Sequence, residues 1–415
     1  GPGIEAGRDG RAARHVDIVP TILGALGVPP PSGLPGRSLL LPAEREDTYF
    51  ESLTTNLNRG WAPLRGLIRG REKLVDLPLP ELYDLDDDPQ ELHNRFDQDR
   101  RTAHALASAL PAESVWPPKK GSSSPEEEAR LRSLGYTSGS AERKSAYTAA
   151  DDPKNLIALD QKLHDVVDAY SRHRYERAAA LAREVIAARP SLAEAYEHLA
   201  LALRQMEKPD EAIQVLSGAV AKGVASPSLR RQLGLALSEA GRPQEALKVL
   251  EPLVGNSGSE TAETLNALGV ALSDAGRHGE AIATLERAKA AAPADPKTYE
   301  NLGVVELRLN RKEAARDDLR RALALNDKLP ISWNTLGVAL YQLGDPAAAL
   351  DAWERSVALD PRQVDALYNI GLVAAEAGRI PQARVALERF VATAPAARWG
   401  GEIAKARQML ARMNG

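Results

Sequence analysis

Four acids crowd one short stretch, Asp84, Asp86, Asp87 and Asp88, and clustered carboxylates are what a hard cation such as calcium takes. An EF-hand loop also needs a central glycine and a glutamate twelfth in the loop, and the residue at that place counted from Asp84 is Arg95. The acids are therefore expected to cap and solvate a turn. The histidines His15, His93, His104, His164, His173, His198 and His278 form no H-x-H or H-E-x-x-H pair. Ser52 has no histidine at a spacing that suggests a triad. Cysteine is absent, which excludes disulfides, thiolate metal sites and a thiol nucleophile.

The totals narrow the classes further. A chain of 415 residues with 43% hydrophobic and 27% charged content has room for two or more domains. The net charge of −4 lacks the basic excess of nucleic-acid binders, so none is expected as a partner. No apolar run approaches the roughly 18 residues of a membrane span. The chain opens Gly1-Pro2-Gly3 without a methionine, which reads as a fragment or a processed piece, so the missing leader says nothing about export.

Short elements are expected before residue 117. Asp17 to Thr21 opens a helix with Pro20 early, where its missing N–H is not needed, and Gly27 is suited to end it. Thr48–Leu53 reads as a strand. Leu64–Arg69 and Lys73–Asp76 flank Gly70-Arg71 as a hairpin, and Leu82–Leu85 is a further strand. Asp88-Pro89-Gln90-Glu91 has the chemistry of a helix start, with Asp88 as cap, Pro89 first inside and Glu91 completing a capping box.

The ordered set HVDIVPTILGALGV, LPGRSLL, YFES, LRGLIRGREKLV and ELYDLDDDPQELHN resembles the C-terminal part of sulfatases, of the alkaline-phosphatase superfamily. RLRSLGY, Arg130 to Tyr136, is similar to the tail that often follows such domains, which extends the resemblance over residues 4–136. The resemblance implies a parent hydrolase of sulfate or phosphate esters, a divalent cation such as calcium, and a periplasmic or exported setting. That family's catalytic core, with its C/S-x-P-S-R motif and its Asp, Asn and His metal ligands, has no counterpart here. No catalytic or metal-binding residue, and no cofactor, is therefore assigned to this chain, and by itself it is expected to be inactive.

Residues 117–158 read as a joint. Pro117 to Pro125 is linker chemistry, Pro125-Glu126-Glu127-Glu128 starts a helix, Thr137 to Ala150 looks loose, and Asp152-Pro153 marks another turn or helix start.

The rest of the chain repeats. Ala178, Ala212, Ala246, Ala281, Ala315, Ala349 and Ala383 recur in steps of 34 or 35 residues, and Gly269, Gly303, Gly337 and Gly371 in steps of 34. A fixed period of this length means a solenoid of helical hairpins. Repeats then begin at Leu159, Ala193, Pro227, Ala262, Pro296, Pro330 and Val364. Positions 4, 7, 8 and 11 form one stripe of the first helix, and positions 20, 24 and 27 one stripe of the second. Small residues at 8 and 20 let the backbones approach. A large residue at 24 is expected to fill the space between repeats, and proline at 32 to stop the second helix. Lys162, Asp165 and Val166 break this pattern in the first repeat, as a polar end repeat would. Trp399, Ile403, Ala406, Leu410 and Met413 outline a closing helix.

Spacing and residue types over so many copies make the array similar to tetratricopeptide repeats. The expected architecture is mainly α: a smaller N-terminal α+β segment (1–116), a linker with a short helix (117–158), an α-solenoid of seven repeats (159–397) and a capping helix (398–415). The resemblance implies that the first helices line a concave face through positions 2, 5, 6, 9, 12 and 13, and that the partner is a protein or peptide. Those positions carry Asn266, Asn301, Asn334 and Asn369, whose amides both donate and accept, as an extended backbone requires, or else satisfy local groups. His198, Arg204, Arg231, Lys297, Arg308, Tyr341, Gln342 and Tyr368 lie beside them. No complete Lys/Arg set for clamping a terminal carboxylate is present.

Overall fold

The computed structural model describes residues 13–34, 36–41, 47–111, 144–224, 226–255 and 260–413. The described residues divide into two compact units, one up to residue 111 together with 144–160, the other from residue 161 on.

In the first unit, helix α1 (Ile18–Ala25) follows a short 3-10 turn, and Gly27 ends it with φ +69°. The buried Asp17 carboxylate takes the Arg14 guanidinium at 2.9 Å and the Arg37 N–H at 2.9 Å. Strands β1 (Thr48–Ser52), β2 (Leu64–Arg69), β3 (Glu72–Asp76) and β4 (Glu81–Asp84) form an antiparallel meander in that order. The register pairs Leu67 with Leu74 and Leu74 with Leu82, so one face is apolar. Ala103 and Leu106 of helix α3 (Arg100–Ala107) cover that face, while α2 (Thr54–Arg59) follows β1.

Two local expectations fail here. Asp88 does not start a helix. Its carboxylate accepts the N–H groups of Leu92 and His93 in a turn, Glu91 has φ +56°, and the Glu91 carboxylate pairs with Lys73 at 2.6 Å across to β3. A tertiary ion pair outcompetes the local capping box, and the next helix waits for Asp99, whose side chain caps Thr102 N–H. The stretch before residue 153, expected to be loose, is also tied down from residue 144 onward. Tyr147 packs beside Ala62, Val75 and Leu77, the Asp151 carbonyl accepts Ala62 N–H at 2.8 Å, and Asp152 accepts Leu79 N–H at 2.9 Å. The expected linker and the helix at Pro125 lie outside the described residues.

From residue 161 on, the second unit consists of the array, whose first helix begins at Pro153. Seven antiparallel helix pairs follow one another: Pro153–Ser171 with Tyr175–Ala188, Ala193–Gln205 with Pro209–Ala221, Pro227–Glu239 with Pro243–Leu250, Ala262–Asp274 with His278–Ala291, Pro296–Arg308 with Lys312–Leu325, Pro330–Gln342 with Pro346–Leu359, and Val364–Glu376 with Ile380–Thr393. Helix Ala396–Met413 closes the stack, with Trp399 against Phe390 and Tyr368. All seven repeat alanines are 0% exposed. In repeats 3 to 7 the large residue at position 24 lies over the glycine at position 8 of its own repeat. A β-carbon on Gly269 would sit 2.6 Å from Leu285 Cγ, and Trp353 lies likewise against Gly337. Repeat 3 has the shortest second helix of the array, ending at Leu250, because Pro252 supports only a 3-10 turn after it.

Position 15 shows a regularity of its own. Gly241, Gly276, Gly344 and Gly378 have positive φ there, and so do His173, Glu207 and Asn310. Each turn between the two helices of a repeat requires a left-handed residue. Repeat 1 keeps the common phase at positions 8 and 11, where Val166 and Ala169 are buried, but at the front of the helix it buries Leu163 of position 5 while Lys162 of position 4 turns outward to Glu184 at 2.6 Å.

Candidate partner-binding face of the array

Successive first helices touch one another from repeat 2 to repeat 6, whereas successive second helices make no contact of that extent among the described residues. The closer-set helices lie on the inside of a bend, so the first helices line the concave side. Positions 2, 5, 6, 9, 12 and 13 share their exposed face.

Bonds between neighbouring repeats take up much of the polar chemistry on that face. Position 5 of one repeat reaches the start of the next. The Glu197 carboxylate accepts the hydroxyls of Ser226 and Ser228, both at 3.1 Å, and burial pushes its pKa up. Asn266 donates to Thr298 Oγ1 at 2.7 Å and to Asp295 at 3.0 Å. Glu300 accepts Ser332 Oγ at 2.6 Å. Thr298 and Ser332 are fully buried, so these rungs are part of the packing. Repeat 3, with Arg231 at position 5 bonded to Ser228 of its own helix, lacks the rung, and in repeat 6 it fails again. Asn334 holds the same position, but the residue at the Thr298 and Ser332 position of repeat 7 is Ala366, and Asn334 Oδ1 is buried without a partner.

The twelve expected contact residues therefore divide. Asn266 is 8% exposed and bonded inside the array, so it is a structural amide rather than a groove contact. Asn301 donates to Asn266 Oδ1 at 3.4 Å and is half-buried. Asn334 is half-buried, and its carbonyl accepts Trp353 Nε1 at 3.0 Å. Asn369 is half-buried beside Tyr368, whose ring lies 4.9 Å from Phe390. Arg204 pairs with Glu239 at 2.7 Å, Arg308 with Asp274 at 2.9 Å, and Lys297 with Glu300 at 2.7 Å. His198 lies 3.6 Å from Glu194, and Arg231 donates to Ser228 at 3.2 Å. The Tyr341 hydroxyl meets Glu376 at 3.2 Å, and Gln342 is exposed at the helix end. Most of the cations are thus matched by an acid, on the same helix for His198 and Lys297 and one repeat away for Arg204 and Arg308.

What runs the length of the face is apolar. Leu201, Leu235, Val270, Val304, Val338 and Leu372, all at position 9, are each half-buried. Sequence reasoning passed over them because an aliphatic residue on an amphipathic helix reads as core. The signal was present: position 9 lies off the stripe of positions 4, 7, 8 and 11. Two of the polar rungs were signalled too, by Thr298 and Ser332 at position 3 opposite Asn266 and Glu300 at position 5 of the repeat before.

Among the described residues no group of histidines and acids is arranged to hold a metal ion, and no helix is long and apolar enough to cross a membrane. Asp84 accepts the N–H groups of Asp86 and Asp87 and pairs with Arg71 and Arg95, as a turn would.

A tetratricopeptide-repeat model matches residues 166–228, 231–296 and 334–398, and a second one matches 297–327. Both lie in the array, leaving the sulfatase resemblance of the N-terminal residues without support from these matches. Among solved structures, the APC/C hetero-tetramer Cut9-Hcn1 aligns with TM-score 0.50 and 18% identity over 60% of this chain and 49% of that one, so the chain spans about half its length. The type IV pilus biogenesis factor PilW aligns with TM-score 0.44 and 17% identity, covering 50% of this chain and 96% of that one. A tetratricopeptide repeat protein from Parabacteroides merdae aligns with TM-score 0.47 and 11% identity, covering 62% and 99%. At these identities the likeness is one of fold. No curated protein matches the chain.

Proposed function

The chain belongs to the tetratricopeptide-repeat family, and from that premise we propose that its array is a protein-interaction scaffold whose concave face takes a peptide or an extended segment of a partner protein. The observation that carries this reading is the unbroken position-9 stripe from Leu201 to Leu372, flanked by charges that are largely matched already. A face of that kind rewards a segment with regularly placed apolar side chains. It offers little to a ligand recognised by its charge. Asn301 and Asn369 flank the stripe and are the amides assigned to the partner's backbone.

Peptides selected from a random display library on the full chain test this. Leu235→Asp combined with Val304→Asp should weaken their binding tenfold or more, about 1.4 kcal/mol or above, with helicity unchanged by circular dichroism. Equal affinity for both proteins would remove the groove from the reading.

A second reading makes residues 4–136 the C-terminal piece of a sulfatase-like hydrolase. The strands and the hairpin expected over its motifs do form, as one four-stranded meander. On this reading the chain alone turns over neither aryl sulfate nor aryl phosphate with added divalent cation, because the catalytic motif is not in it. Clear turnover would show that the missing-site argument is wrong.

A further inference from the structure

Position 11 of the first helix is Leu203, Leu237, Leu272 and Leu340 in repeats 2, 3, 4 and 6, and Ala374 in repeat 7. In repeat 5 it is Glu306, which is 7% exposed and whose Oε2 is buried without a hydrogen-bond partner. The place is particular for a second reason. The apolar core of the array comes in two pieces. One runs from Val166 through repeats 2 to 4 and ends at Leu302 and Val305. The other begins at Tyr299 and Ala315 and runs to the closing helix. They meet on helix Pro296–Arg308, where Glu306 sits.

Charged groups surround it from each neighbouring helix. Lys289 and Glu286 act on it from the second helix of repeat 4, Arg311 from the turn after its own helix, and Asp318 from the second helix of repeat 5. Lys289 is already engaged, 3.5 Å from Asp318 and 3.4 Å from Glu286, with its ammonium over the Tyr299 ring. Asp318 feels Asp317 beside it. Arg308, on the same helix as Glu306, is taken by Ser273 and Asp274 of repeat 4. The first helix of repeat 6 brings only Tyr341 as a titratable group. Lys289 and Arg308 are thus committed to other acids, and Arg311 acts on Glu306 through space without a hydrogen bond to its buried Oε2.

We propose that the junction of repeats 4 and 5 is a pH-gated hinge of the array, closed while Glu306 carries its proton and loosened when it ionises. Protonated, the side chain lies in the apolar seam as a neutral group. Ionised, it is an unpaired buried charge, and opening the seam to water relieves it. Burial first, and Asp318 second, push its pKa from 4.5 up to about 7 against the pull of Lys289 and Arg311. The closed seam therefore holds more protons than the opened one between those two values. Its stability falls as pH rises through that window and levels off above it.

Native-state hydrogen exchange on the full chain, read by mass spectrometry and corrected for intrinsic rates, tests the hinge. From pH 6 to pH 8, protection over residues 278–325 should fall about tenfold relative to residues 193–221 and 364–393. Glu306→Gln and Glu306→Leu should each abolish the fall. Constant relative protection in the natural chain overturns the proposal, and so does an equal fall in both variants.

Discussion

One side chain in the polar ladder lacks its partner. Asn334 stands where Asn266 and Glu300 stand, yet Ala366 faces it in place of Thr298 or Ser332, and its Oδ1 is buried unbonded. A hydroxyl of the same reach already fits the equivalent site in two repeats. Ala366→Ser should therefore raise stability by about 1 kcal/mol, the net value of one internal hydrogen bond. Thermal melting would show it as a higher midpoint, and a lower one would mean that the rung geometry does not extend into repeat 7. The alanines and glycines of the array could be read from sequence because backbone contact admits nothing larger there. The half-buried Glu197 and the buried Glu300 and Glu306 could not be, since their partners lie about 30 residues away or are absent. Glu197 and Glu300 are each reached by a serine of the next repeat.

At the level of the helical hairpin, the turn sets the requirement. Position 15 is left-handed in every repeat, and repeats 1, 2 and 5 meet it with His173, Glu207 and Asn310. A left-handed conformation costs a side-chain-bearing residue roughly 1–2 kcal/mol, although asparagine tolerates it better. Glu207→Gly should then stabilise the array by about 1 kcal/mol after the flexibility that glycine adds to the unfolded chain. Chemical denaturation measures it directly, and a destabilised variant would show that Glu207 holds the turn by another contact. The same local reasoning misled at Asp88. The residues for a capping box are all present there, but Lys73 draws Glu91 across to β3. The helical period survived translation into structure because the same apolar stripe is repeated from repeat 2 to repeat 7. A single capping signal has no such redundancy, and one ion pair at 2.6 Å redirects it.

For the array as a whole, the polar rungs make the repeats less interchangeable than their shared period suggests. A solenoid's stability is nearly a sum over repeats and neighbouring interfaces, so removing one complete repeat should leave a folded, shorter array. Which repeat is removed then matters. Excising residues 296–329 brings Asn266 opposite Ser332, a hydroxyl that replaces Thr298, and takes Glu306 away with it. Excising residues 330–363 brings Glu300 opposite Ala366, leaving a carboxylate that is 4% exposed without the serine that now bonds it. The second deletion should be the less stable by about 1–3 kcal/mol, the cost of one buried acceptor left unsatisfied. Adding Ala366→Ser to it should recover most of the difference, whereas the same substitution in the first deletion should act only through Asn334. Calorimetry on the four proteins decides the matter. Equal midpoints for the two deletions would mean that apolar packing alone sets the order of the repeats, and the ladder of Glu, Asn, Ser and Thr would then be a consequence of the stacking rather than a part of what fixes it.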